Sequence, residues 1–188
     1  MSDLAQWVTV PPPAQARTRD AGPVLPGYPQ SAMMRQVHGL WLANRGASEM
    51  PTWMSMSALL PTSLLPLTIL FTVNREPFDF RYTEIGSRIR AICNADYTGR
   101  LMSELPHQRP PSKVWDHLSA AFDARAPVRG ALPYVGRSRE LSSIYHIVLP
   151  LADDGETVDR LLVCVDLGPA LRLQDGTPLF TQLGTRPD

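Results

Sequence analysis

Nineteen prolines punctuate this chain, and their positions decide where regular structure can run. Proline lacks an amide hydrogen and has a fixed φ, so it is shut out of helix interiors and of the middle of a sheet. Pro11, Pro12, Pro13, Pro23, Pro26 and Pro29 crowd the N-terminal stretch. With little periodic apolar content beside them, residues 1–30 read as a mobile arm. Gly168-Pro169 opens a second broken stretch with Gly176, Pro178, Gly184 and Pro187, so residues 169–188 read as a mobile tail. Regular structure is expected in residues 31–168. A chain of 188 residues with 44% apolar content supports one buried core, because a domain of this size hides roughly 70% of its unfolded surface.

Within that domain the apolar spacing names the elements. Ser31 is a suitable N-cap for a helix reaching Ala43, in which Met33, Val37, Leu40 and Trp41 recur at helical spacing and Asn44-Arg45-Gly46 is the stop. Met50 to Pro66, with Pro51, Pro61 and Pro66, reads as a loop packed on the core. A hairpin is expected next: Ile69, Phe71 and Val73 alternate over 67–73, Asn74 to Pro77 turn, and Phe80 and Tyr82 alternate over 78–85. Ile85, Ile89 and Cys93 stack on a short helix from Ser87. Ser112 caps a further helix carrying Val114, Trp115, Leu118 and Phe122, which ends near Ala126-Pro127. Three strands follow at 128–135, 142–149 and 158–165. The last is the most continuously apolar and is therefore expected in the middle of the sheet.

Lys+Arg and Asp+Glu both number 18, so no global field favours a polyanion, and nucleic acid is not an expected partner. No membrane span is expected, since the longest apolar run, Ala58 to Phe71, is cut by Pro61 and Pro66. No secretory leader is read at the N-terminus, where Asp3 stands in place of a basic region. Cys93 and Cys164, each among apolar neighbours and without a CxxC, read as buried thiols in a reducing, cytoplasmic compartment.

The order of two strands, helices and three strands is that of a PAS domain. Leu40-Trp41, Met50-Pro51, Leu60-Pro61, Leu65-Pro66, Phe80-Arg81-Tyr82, Ile85-Gly86-Ser87-Arg88-Ile89, Thr98-Gly99-Arg100, Leu149-Pro150-Leu151, Asp153-Asp154-Gly155 and Val158-Asp159 sharpen the match. On these the chain resembles the PAS-like family of short alphaproteobacterial proteins, free-standing PAS domains. The resemblance implies an α+β fold: a PAS-like five-stranded antiparallel sheet with helices on one face and an N-terminal flanking helix. It also implies a sensory or adaptor role in signalling, exerted through protein contacts, and it supplies no catalytic residues.

A small ligand in such a domain would lie over the sheet, lined by Ile69, Phe71, Phe80, Tyr82, Ile89, Leu118, Phe122, Tyr145, Ile147, Leu161 and Val163; the competing reading is that these side chains fill the core and that the domain is a constitutive assembly module. Arg81, Arg88, Arg90 and Arg100 form a candidate patch for an anionic ligand or partner. Met33, Val37, Leu40 and Trp41, broadened by Met34 and Leu42, form a candidate homodimer seam. His117 is expected at the border of its helical stripe, with no partner histidine nearby, so haem is not expected. Ile92-Cys93-Asn94-Ala95 departs from the flavin-photoadduct motif. No GxSxG, P-loop, HExxH or EF-hand spacing is present, and neither enzyme activity nor a metal is expected. The sequence identifies no cofactor, and any output passes to an unidentified signalling protein in trans.

Overall fold

The computed structural model describes residues 31–93, 95–133 and 143–167. The arm assigned to 1–30, the tail assigned to 169–188 and the outer ends of the strands expected at 128–135 and 142–149 lie outside the described residues.

Helix α1, Ala32–Arg45, begins where Ser31 accepts a hydrogen bond from the Met34 amide and stops at Gly46, whose φ of 56° suits a residue without Cβ. The loop expected at 50–66 instead contains helix α2, Trp53–Leu59. Its prolines are placed permissively: Pro51 precedes the Thr52 N-cap, whose side chain accepts from the Ser55 amide, and Pro61 follows the last turn. Two turns of helix fit between these prolines because each lies just outside the helix interior.

Strands β1, Thr68–Arg75, and β2, Phe78–Ile85, form the expected hairpin. Helix α3, Ser87–Cys93, and helix α4, Lys113–Ala124, then cross toward the other half of the sheet. Ser112 caps α4 by accepting from the Trp115 amide, and Arg125 ends it in the left-handed conformation. Strands β3, Val128–Pro133, β4, Ser143–Leu151, and β5, Arg160–Asp166, complete a five-stranded sheet in the order β2-β1-β5-β4-β3, antiparallel throughout. The continuously apolar β5 lies centrally, as expected. The acidic turn before it is held internally: Asp154 accepts from the Glu156 and Thr157 amides, and Asp153 pairs with Arg160 at 2.6 Å.

Register assigns the two faces. Phe71 stands opposite Tyr82 on one side and Leu161 on the other, and Val163 opposite Val148, so these residues share a face. Helix α4 covers it, with Trp115 packed edge-on against Phe80 at 5.0 Å between ring centroids. The alternate residues Ile147, Leu149, Leu162 and Cys164 face the other way, toward α1, which packs on β4 and β5. Arg129, opposite Ile147, confirms the side by donating to His38 Nδ1 of α1 at 2.6 Å. The architecture is therefore an α+β fold, a five-stranded antiparallel sheet with α4 on one face and α1 flanking the other.

One close approach sets the entry to α3. A Cβ built on Gly86 would meet the carbonyl oxygen of Pro66 and stand 2.5 Å from that of Leu65. Because backbone cannot yield as a flexible side chain does, Gly86→Ala is expected to destabilise the domain by about 1–3 kcal/mol, read as a lower denaturant midpoint with an unchanged m-value.

Candidate functional site

The inner face between α4 and the sheet is the candidate site. Phe71, Phe80, Leu118 and Leu161 are buried there, and Phe71 and Tyr82 rings meet at 4.4 Å. The Tyr82 hydroxyl donates to Gln108 Oε1, and burial raises its pKa, so it stays protonated. Val163 belongs to the same face, Phe122 stacks against Phe78 at 5.0 Å at its margin, and Ile89 is buried on α3, whose last residue Cys93 comes beside Tyr82.

Two of the lining residues expected from sequence do not join it. Tyr145 and Ile147 lie on the α1 face, since Ile147 pairs with Cys164 and Tyr145 with Asp166. The residues of β4 that face α4 are His146 and Val148. Strand β4 is apolar in both alternations, so periodicity could not choose between them, and a shift of one residue moves every side chain to the opposite face.

His146 brings a second correction. The sequence reading left His117 without a histidine partner, yet Nδ1 of His117 lies 3.0 Å from Nε2 of His146. The rings are tilted by 34° with centroids 5.0 Å apart. Glycine at position 130, opposite His146 in the ladder, makes the room: a Cβ there would stand 2.5 Å from His117 Cε1, 2.6 Å from its Nδ1 and 3.1 Å from His146 Cε1. His146 is only 3% exposed, and its Nδ1 has no hydrogen-bond partner among the described residues. Whichever nitrogen of His146 holds the proton, one polar atom stays unsatisfied, at a cost of about 1–3 kcal/mol. Burial, then the neighbouring His117, drives the pKa of His146 down to about 3. His117, half-buried, is lowered as well, chiefly by burial, with Asp116 acting upward and Lys113 downward. At neutral pH both rings are neutral and share one N–H···N bond.

Three of the four arginines expected to form an anionic patch have partners within the chain. Arg90 pairs with Asp96 at 3.2 Å, Arg100 with Glu104 at 2.5 Å, and Arg81 donates to the Gly99 carbonyl at 2.7 Å; Arg88 is exposed on α3. Arg81, Arg90 and Arg100 thereby tie the 96–104 turn to the edge of β2. In the expected dimer seam, Val37 and Trp41 are fully buried inside their own domain, as is Met34. Trp41 Nε1 donates to the Pro150 carbonyl at 2.7 Å. Of the four, Met33 and Leu40 are half-buried, packed against the edge of the same core. Cys164 is buried, its thiol pushed up to about 12 by desolvation, but Cys93 is exposed and both are free. Among the described residues, no cluster of three or more His, Cys, Asp or Glu side chains suits a metal ion, and no helix is long and apolar enough to cross a membrane.

No family model matches the chain, and no curated protein matches it. Among solved structures it is similar to the PAS domain of histidine kinase ThkA, with 16% identity and a TM-score of 0.38 over 53% of this chain and 97% of that one. It is also similar to a sensory box sensor histidine kinase from Vibrio cholerae, with 18% identity and a TM-score of 0.39 over 60% of this chain and 92% of that one.

Proposed function

We propose that this chain is a sensory or adaptor domain that acts in signalling through protein contacts rather than by catalysis. The observation that carries the reading is the sheet order β2-β1-β5-β4-β3 with α3 and α4 crossing one face, an arrangement that resembles PAS domains. Contact surface is available on the flank: Met54 is 81% exposed and Leu59 55% exposed, both on α2. A photo-crosslinker at Met54, introduced in the native cell, is expected to capture a second polypeptide, and Leu59→Asp is expected to abolish the adduct. Failure to capture any chain, or capture indifferent to Leu59→Asp, would count against this surface.

Homodimerisation belongs to the same reading, through Met33 and Leu40. Sedimentation should then show a dimer that Met33→Asp with Leu40→Asp dissociates, whereas a monomer at tens of micromolar removes the proposal.

A second reading, a constitutive assembly module with a filled core, is favoured by the near-complete burial of Phe71, Phe80, Leu118 and Leu161. Absorbance of the purified protein, with mass spectrometry of its denatured extract, separates the two: a bound small molecule supports a ligand sensor, an empty extract the filled core.

A further inference from the structure

Helix α4 is tied to the sheet through a pair of histidines that the packing has made room for. His117 comes from α4 and His146 from β4, and Gly130 of β3 supplies the space both rings occupy. The surroundings leave the pair to answer for its own charge. On α4, Asp116 favours a proton on His117 and Lys113 opposes it. On β3 the ionisable neighbour, Arg129, turns to the opposite face to meet His38. On β5, Val163 and Val165 face the pair's side of the sheet and carry no charge. Toward His146 the acting charge is that of His117.

The pair can therefore hold one added proton but not two. The first, on the half-buried His117, leaves an N–H···N bond between the rings and makes it charge-assisted. A second, taken from solvent by His146, sets two N–H donors and two positive charges 3.0 Å apart, with Asp116 acting on His117 and only the charge of His117 acting on His146. We propose that His117 and His146 form a proton-operated latch, closed on α4 while the rings share one bond and opened when both become charged. As a signalling device the latch rests on the sensory reading above, for which it names the signal; as a structural device it stands on the geometry of the pair.

Opening exposes His146 to water, where it recovers its ordinary affinity for protons. From a closed value of about 3 against an ordinary 6.5, acidification to pH 5 multiplies the open population of α4 by about thirtyfold through His146 alone.

The test is amide hydrogen exchange of the whole chain at pH 7.5 and 5, corrected for intrinsic rates and resolved by residue. Opening of α4 is expected to rise about thirtyfold or more and to stay more frequent than that of β1, whose amides open with the whole domain and share its acid response; His117→Gln, which keeps a hydrogen-bonding group without the titration, should reduce the rise. His146→Leu should remove most of it. An α4 that opens no more often than β1 at pH 5, or a rise unchanged in His117→Gln, would overturn the latch; His117→Gln keeps the test decisive if the His146→Leu protein fails to fold. These readouts need no partner, so a failure of the crosslinking experiment and a failure of the latch are told apart.

Discussion

Trp41→Ala is expected to cost about 3–5 kcal/mol, a large share of the roughly 5–15 kcal/mol that holds a domain of this size together. Trp41 is completely buried between α1 and the sheet, and its indole donates to the Pro150 carbonyl of β4. The substitution leaves a cavity and an unpaired carbonyl at once. Chemical denaturation should show the loss as a much lower midpoint with little change in m-value. Leu40→Ala, at a half-buried neighbour, is expected to cost less than half as much. If α1 were only a dimerisation element, Trp41→Ala would change sedimentation and spare the stability of the monomer.

Acid should destabilise the domain well before its carboxylates titrate. The folded pKa of His146 lies at about 3, below its ordinary 6.5, so the unfolded chain takes up a proton that the native state refuses. The histidine's contribution to stability is complete above about pH 6.5, declines as the pH falls, and levels off near the folded value. For His146 alone this amounts to about 2 kcal/mol between pH 7.5 and pH 5. His117 adds to it in the same direction, because its pKa is lowered too. The carboxylates act in a lower window: Asp154, held at about 2 by the Thr157 and Glu156 amides, and Asp96 and Glu104, both lowered by hydrogen bonds, lose their contributions only as the pH passes below the ordinary carboxylate range. Denaturant unfolding of wild type and His146→Leu at both pH values measures the effect. The variant should lose most of the difference, and an equal drop in both proteins would assign it elsewhere.

Much of the fold could be read from residue spacing. Ser31 and Ser112 announced their helices because a hydroxyl at the N-cap has a definite task, and the apolar run before Asp166 announced a central strand because both its faces are covered. Helix α2 was hidden by the prolines that flank it, since composition does not say whether a proline lies inside a helix or just outside. The site was less legible. In β4 both alternations carry apolar residues, so Tyr145 and Ile147 were placed on the face that belongs to His146 and Val148. Nothing local marks His117 and His146 as neighbours, because 29 positions separate them and only the register of three strands brings them together. Gly130 was the one available hint, a strand residue without a side chain where something else needed the space. Arg81, Arg90 and Arg100 looked like a patch in sequence because their carboxylate and carbonyl partners come from a turn whose closure is tertiary.

The pairing of His146 with His117 depends most on the register of the inner strands, since one residue of slip would turn His146 away from α4. Inter-strand nuclear Overhauser contacts between backbone protons of β4 and β5 test it directly. The structure predicts pairing of Ile147 with Cys164 and Val148 with Val163, together with Phe71 of β1 against Leu161. Pairing of His146 with Cys164, or of β1 with β4 in place of β5, would contradict it.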